Sequence, residues 1–538
     1  MATFSTKNLI FVPKLQKQMK KLPIGIQTFS KLREDDFIYV DKTEYIYNII
    51  SGNNYYFLSR PRRFGKSLTL STIAEIYSGN KNLFTGLWIE NNWDWDKIHP
   101  IIHIAFNRFD YLNLGLDYVL TEALHEQAAL HGLVLLRKSP SQLFEELIKK
   151  LVALKGRVVI LIDEYDKPII DFLEDKNLHI AQKNREILRN FYSIVKNSDP
   201  YIEFFLMTGV SKFSQTGIFS NLNHLNDITL NKKYAALTGY TQSDLLVYFN
   251  EYIQDALPDF APLNEQQLLE QIKKWYNGYS WDAKTSVYNP YSVLLFLDNR
   301  AFENYWFATG TPTFLIDLIK QNKVFDFNQI TASRSLLDSY EPDNLDVRTL
   351  LFQTGYLTIK HIDIYNGIYT LDYPNREVEQ SMHDYLIAAL LDRKMGDSPK
   401  PVFDVVSAFH QNNIERVIAI INSLLKDVPA LLINAKNEHF YHSLVHLHFR
   451  YLGLLMDSEV HTSDGRMDAV VKTNTHIYIL EFKIDQSAEI ALNQIKNKVY
   501  YDKYAIENKT VVGIGINFDT EKRAISQWQQ ETLIDATT

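Results

Sequence analysis

Short apolar runs, each closing on a polar or glycine turn, recur through the first part of the chain: Tyr55–Leu58, Ile101–Phe106, Val158–Ile162 and Phe204–Met207. Runs that stay apolar position after position, instead of alternating, suit strands covered on both faces. Between them lie stretches with helical spacing, from Leu68 to Ile76, about Leu116 to His131, Ser141 to Leu154, and Lys183 to Lys196. Buried strands alternating with helices predict a doubly wound, parallel α/β domain. After about residue 236 the pattern turns mainly helical. A short helix from Val347 to Gln353 is then followed by two alternating segments around Tyr365-Asn366-Gly367, where Asn-Gly is a hairpin signal. Helix plus hairpin reads as a winged-helix-like module, taken here as a packing or relay element rather than a reader of DNA. The last part predicts helices over about 403–426 and 437–456, a hairpin over 466–483 and a helix over 487–506.

These shifts divide the chain into a polar tail (1–21), an α/β domain (22–235), a helical and winged-helix-like region (236–394), a linker (395–402) and a last α/β domain (403–538). The linker assignment rests on the polar, proline-bearing stretch Met395 to Pro401. A length of 538 residues calls for several cores. The hydrophobic content of 46% is ordinary for a globular chain. The absence of cysteine excludes disulfides and cysteine-based zinc sites and makes a reducing, cytoplasmic setting the expectation. Lysines interrupt the N-terminal segment, which has no signal-like apolar core, and no run of eighteen apolar residues offers a membrane span. A net charge of −8 argues against a uniformly basic surface but leaves room for a local basic groove.

The strongest chemistry lies where the first apolar run meets Arg60-Pro61-Arg62-Arg63-Phe64-Gly65-Lys66-Ser67-Leu68. Strand, loop, and a helix opened by Gly-Lys-Ser is the context of a phosphate-binding loop. The first N–H groups of a helix lack internal partners and can hold phosphate oxygens. Lys66 can reach the β- and γ-phosphates, and the Ser67 hydroxyl can ligate Mg²⁺. The usual motif begins with glycine where this chain has Arg60. A P-loop site also needs a carboxylate at a neighbouring strand end. Asp163 closes Val158–Ile162 and can hold Mg²⁺ through water, while Glu164 can orient and activate an attacking water. The expected ATP-binding set is therefore Arg63, Phe64, Gly65, Lys66, Ser67, Leu68 and Asp163, with Thr208 as a γ-phosphate sensor, or else a threonine bonding local backbone.

A second constellation is Gly465-Arg466-Met467-Asp468 followed by Glu481-Phe482-Lys483. Phosphodiester hydrolysis needs Mg²⁺ held by carboxylates and a cation near the attacking water. Ile477, Ile479, Glu481 and Lys483 share one strand face. A turn over Thr473–His476 pairs Val470 with Ile479 and Asp468 with Glu481; a slip of one residue would separate the two carboxylates. Asp468 and Glu481 are the expected metal ligands, and Lys483 the group that orients the nucleophile. His442 and His446 stand at i, i+4 spacing but lack a third ligand and read as ordinary helix residues.

Arg60 to Ser67 resembles the phosphate loop of bacterial AAA-ATPase-like proteins with a C-terminal PD-(D/E)xK nuclease-like domain. Leu161-Ile162-Asp163-Glu164-Tyr165-Asp166-Lys167-Pro168, Thr208-Gly209-Val210-Ser211-Lys212 and Trp275-Tyr276-Asn277-Gly278-Tyr279 resemble segments of the same family. The resemblance implies an ASCE-type P-loop core in which the missing first glycine is normal. It also implies a nuclease-like core with Glu438 on its first helix and Gln494 on a later one, both beside the catalytic cluster. The expectation is an ATP-binding, ATP-hydrolysing protein that gates a Mg²⁺-dependent nuclease site, with nucleic acid as partner (DNA ahead of RNA), self-association left open and no membrane. The alternatives are a non-cleaving ATP-dependent scaffold and an ATPase motor stimulated by DNA.

Overall fold

Five strands make the first sheet: β1 (Tyr55–Ser59), β2 (Ile101–Ala105), β3 (Val158–Asp163), β4 (Ile202–Gly209) and β5 (Asn226–Asp227), in the order β2-β3-β4-β1-β5. Every pairing is parallel. The computed structural model describes residues 19–173, 177–212, 222, 224–306, 315, 318–319, 327, 330–337, 346–390, 400–426, 459–463, 466–497 and 501–536. β1 and β3 are buried at every position, as their unbroken apolar runs require. Alternate residues serve opposite layers. Tyr56, Leu58, Leu161 and Leu206 pack with Leu70, Ile73 and Ile76 of α1 (Lys66–Tyr77). Phe57, Ile160, Ile162 and Met207 face α2 (Leu116–Ala129), α3 (Pro140–Lys155) and α4 (Leu178–Asn197). Here α4 starts earlier than its periodicity suggests.

The middle region holds α5 (Gln242–Ala256), α6 (Glu265–Tyr276) and α7 (Pro290–Asn299), which share an apolar cluster with Ile38 and Val40. Asn289 caps α7 by accepting from the N–H groups of Tyr291 and Ser292. The winged-helix-like element is present and carries a strand the sequence pattern did not reveal. β6 (Ile330–Ser333) precedes α8 (Val347–Thr354) and joins β7 (Thr358–Asp363) and β8 (Ile368–Asp372) in an antiparallel β6-β8-β7 sheet. α9 (Arg376–Leu390) follows.

Gly355 ends α8 in a left-handed conformation, with φ of 95°. A Cβ there would lie 2.6 Å from Cβ and Cγ of Pro61, in the phosphate loop. Gly355→Ala therefore meets both a backbone penalty and a clash with a neighbour that cannot rotate away. It should destabilise the protein by about 2 kcal/mol or more, read as a lowered midpoint in chemical denaturation.

The last part begins with α10 (Lys400–His410) and α11 (Ile414–Lys426). The expected linker therefore ends sooner than 402, since Pro401 fits the first turn of a helix, where its missing N–H has no partner to lose. A mixed sheet follows in the order β13-β12-β11-β10-β9: β9 (Glu459–Ser463), β10 (Arg466–Lys472), β11 (His476–Ile484), β12 (Thr510–Asp519) and β13 (Ala524–Ile534). Only β11 and β12 run parallel; the intervening α12 (Ala488–Asn497) makes the crossover. α12 lies directly on β12, where a Cβ at Gly515 would be 2.2 Å from the Ala488 carbonyl oxygen. Of the helix expected over 487–506, Ala488–Asn497 is helical and Asp502–Glu507 forms a 3-10 turn, while 498–500 lie outside the described residues. Residues 427–450, including the expected helix start near 437 with Glu438, His442 and His446, lie outside the described residues. Among the described residues no helix is long and apolar enough to cross a membrane.

Candidate nucleotide and metal sites

β1 runs into the phosphate loop, and α1 begins where Gly65 takes a left-handed φ of 87° as the residue before the first turn. The Lys66 ammonium is buried and donates to the carbonyls of Arg60 (2.9 Å) and Pro61 (3.0 Å). Burial lowers its pKa, offset by Asp163, Glu164 and Asp166. An ammonium has three donors, so with two holding the loop a third is left for a phosphate oxygen. Ser67 Oγ donates to Asp163 Oδ2 at 2.5 Å, and Thr208 Oγ1 donates to Asp163 Oδ1 at 2.7 Å. Asp163 is thus fixed between two hydroxyls. Thr208 Oγ1 also lies 3.3 Å from the Ile162 carbonyl, so its hydroxyl meets both a side chain and local backbone.

This arrangement follows from sheet order. β4 lies between β1 and β3, so Asp163 at the end of β3 and Thr208 near the end of β4 both converge on the loop after β1. Glu164 follows with a positive φ of 53°, and burial raises its carboxyl pKa, opposed by Lys66. A hydroxyl and a carboxylate this close are hard oxygen donors on rigid elements, a set that suits Mg²⁺.

A cavity of about 390 Å³ opens onto the loop, and its walls include Arg62, Arg63, Gly65, Lys66, Ser67 and Leu68. Glu164 and Asp166, just after β3, line it, as do Pro23, Gly25, Ile26, Gln27, Tyr240 and Tyr291. Arg63 rests its guanidinium over the Tyr291 ring, 4.8 Å from the centroid. Phe64 turns away from the cavity into a cage of Tyr279 and Trp281, so it can offer a ligand only its backbone.

Arg60 explains the departure from the usual motif. Its side chain is fully buried, stacked 3.9 Å from the centroid of the Trp281 ring. It donates to the carbonyls of Ser59 (2.9 Å) and Thr229 (2.8 Å). Burial lowers its pKa, countered by Asp227 and Asp282, and the aromatic face gives the cation a further partner. The position serves as an anchor under the loop, where the usual glycine would leave a void.

The middle region clamps the same loop. Trp306 Nε1 donates to the Arg62 carbonyl at 3.1 Å, while the Trp306 backbone N–H donates to Glu377 at 2.6 Å. Glu377 is buried at the start of α9 and also accepts from Ser292 Oγ at 2.8 Å; burial pushes its carboxyl pKa up to about 8. Gln353 of α8 accepts from the Lys212 backbone N–H at 3.0 Å, just beyond β4.

In the last sheet, β10 pairs with β11 in the register expected from the Thr473–His476 turn: Asp468 opposite Glu481 and Val470 opposite Ile479. The Thr473 N–H donates to the His476 carbonyl at 2.8 Å, closing that turn. Ile477 and Ile479 pack with Leu492 and Ile495 of α12, so the face carrying Glu481 and Lys483 looks toward that helix. The Lys483 ammonium lies 3.0 Å from Glu481 Oε1 and 2.6 Å from Gln494 Oε1. Glu481 is nearly fully buried. Among the described residues no group of three or more His, Asp or Glu side chains gathers as a metal cluster. Glu438 lies outside those residues, and Asp468 stands opposite Glu481 in the backbone register. A buried carboxylate opposite an aspartate position, with an ammonium alongside, is nevertheless a donor set that fits Mg²⁺.

A family model described as "Predicted AAA-ATPase" (AAA-ATPase-like) matches residues 23–219, and one described as "PD-(D/E)XK nuclease superfamily" matches residues 436–528. An Azotobacter chroococcum mcd 1 protein described as an "uncharacterized protein in vnfD 5'region" is 38% identical over 535 residues, covering 96% of this chain and 99% of the relative. The chain belongs to the AAA-ATPase-like family with a C-terminal PD-(D/E)XK domain. No solved structure matches it. Both domain types of the family are present, and the two sites described above fall on them.

Sequence reasoning missed several residues that line the cavity. Asp166, in the segment after β3, is one of them. It is buried, with its pKa raised by burial to about 6, and accepts from the N–H groups of Val210 (2.9 Å) and Ser211 (2.6 Å). It ties the ends of β3 and β4 together. Tyr291 and the wall made by Pro23, Gly25, Ile26 and Gln27 come from distant parts of the chain and carry no local signal.

Proposed function

We propose that this protein binds and hydrolyses ATP at the loop around Lys66 and thereby controls a Mg²⁺-dependent phosphodiester-cleaving site at Asp468, Glu481 and Lys483 that acts on nucleic acid, DNA ahead of RNA. The observation that carries the reading is the Lys483 ammonium held between Glu481 and Gln494 on a hairpin whose register sets Asp468 opposite Glu481. It is joined by the Ser67–Asp163–Thr208 chain at the phosphate loop.

At the first site, Lys66, the α1 N-terminus and Arg63 bind the triphosphate, Ser67 and Asp163 hold Mg²⁺, and Glu164 takes a proton from the attacking water. Raising the Glu164 pKa by burial suits it to that role. At the second site, Asp468 and Glu481 would hold the metal, the resemblance adds Glu438 to that set, and Gln494 keeps Lys483 in place. Mg²⁺ bound there would supply Lewis-acid polarisation of the phosphodiester and of a water. Control of one site by the other is supported by the clamp of the middle region on the loop and by one apolar cluster. That cluster includes Phe57 and Ile162 near the loop, Tyr373 and Met382 in the middle, and Phe409 and Tyr478 in the last part.

The test is to incubate the purified protein with labelled single- and double-stranded DNA and RNA, with and without ATP and Mg²⁺. The expected result is Mg²⁺-dependent cleavage whose rate changes with ATP. Absence of cleavage products together with ATP-dependent binding of nucleic acid would favour a non-cleaving scaffold instead.

A further inference from the structure

The three arginines of the phosphate loop have three different fates. Arg60 is buried beneath it against Trp281. Arg63 lies over Tyr291 at the cavity wall. Arg62 also lines the cavity, is exposed, and its guanidinium makes no hydrogen bond or ion pair among the described residues. Its backbone, by contrast, is held on both sides. Trp306 donates to the Arg62 carbonyl, and Pro61 sits against Gly355. The result is an unpartnered cation on a rigid base, next to the groups that would meet the end of a triphosphate.

Its neighbours define what it could touch. Arg62 shares the cavity with Lys66, Ser67 and Glu164, and its charge acts on Lys66 and Glu164, lowering the pKa of each as a minor contribution beside burial. A guanidinium is planar, permanently charged and forked, and matches two phosphate oxygens at once. We infer that Arg62 is the arginine that neutralises charge on the γ-phosphate during hydrolysis, supplied in cis by the phosphate loop itself.

The assignment rests on the ATP-hydrolysis reading and deepens it. Water oxygen forms a bond to the γ-phosphorus, and the bond from that phosphorus to the bridging oxygen breaks. The electron pair leaves with ADP, and the water proton passes to Glu164. Negative charge accumulates on the oxygens around the γ-phosphorus, where an arginine has its largest effect. With Arg62 in the same loop, no arginine from a second copy is required.

The test compares wild type, Arg62→Ala and Arg62→Lys in single-turnover ATP hydrolysis, with separate binding of ADP, ATP and Mg-ADP with aluminium fluoride. Arg62→Ala is expected to slow hydrolysis by about a thousandfold or more, the lower end of the range for supplied arginines. Binding of the aluminium fluoride complex should weaken in parallel, while ADP affinity stays within about threefold. Arg62→Lys should recover part of the rate, because charge is kept and the fork is lost. Mixing Arg62→Ala with Lys66→Ala should restore nothing, whereas a trans arrangement would be rescued in mixed oligomers. A rate loss under about tenfold, an equal loss of ADP affinity, or recovery on mixing overturns the assignment. A wild-type protein that neither binds nor hydrolyses ATP overturns the nucleotide reading and this inference with it.

Discussion

Lys66→Ala lowers ATP affinity by about a hundredfold, since a charged hydrogen bond to phosphate contributes roughly 1.5–3 kcal/mol, and it takes hydrolysis below detection. Two effects combine. The third ammonium donor no longer reaches phosphate, and the carbonyls of Arg60 and Pro61 lose the partner that shapes the loop. Titration calorimetry with ATP and a phosphate-release assay measure both. Glu164→Gln separates binding from chemistry: the amide cannot take the proton, so ATP should still bind with near-normal affinity while turnover drops by about a hundredfold. ATP affinity unchanged in Lys66→Ala would remove the loop from the binding site altogether.

The second large effect lies at the C-terminal hairpin. Lys483→Ala and Asp468→Ala should each reduce Mg²⁺-dependent cleavage by about a thousandfold, a size consistent with removing metal or transition-state charge stabilisation worth several kcal/mol. ATP binding should be unchanged in both. The Lys483 change also strips Glu481 and Gln494 of the cation between them, leaving a buried carboxylate exposed to less compensation. Melting temperatures of the two variants, taken beside the cleavage rates, distinguish a lost catalytic group from a locally unfolded hairpin. Cleavage that survives both substitutions eliminates the nuclease reading.

Much of this was readable from residue order because the deciding interactions are local or periodic. The Thr473–His476 turn set the register of Asp468 against Glu481, since a sheet repeats every two residues and a slip would have exposed Ile477 and Ile479. The unbroken apolar runs identified β1, β3 and β4 because a parallel sheet buried on both faces leaves no place for alternation. What stayed hidden depends on long separations. Nothing near Arg60 announces Trp281, and nothing near Trp306 announces the Arg62 carbonyl. The bond from Thr208 to Asp163 could not be read because the two residues come from different strands. β6 escaped notice because its residues are only partly covered and its pattern is weak.

The cage around the phosphate loop bears on how this protein can be divided. Phe64 is enclosed by Tyr279 and Trp281, Arg60 lies on Trp281, and Pro61 is seated on Gly355. A fragment ending near residue 235 would keep every residue of the motif and lose the walls that shape it. The loop is therefore no portable cassette: transplanted, or truncated to its own sheet, it would carry a buried cation and an aromatic ring with nothing to cover them. In reverse, tightening that loop around a ligand should protect amide hydrogens near Trp281, Trp306 and Gly355, far along the chain from the phosphates.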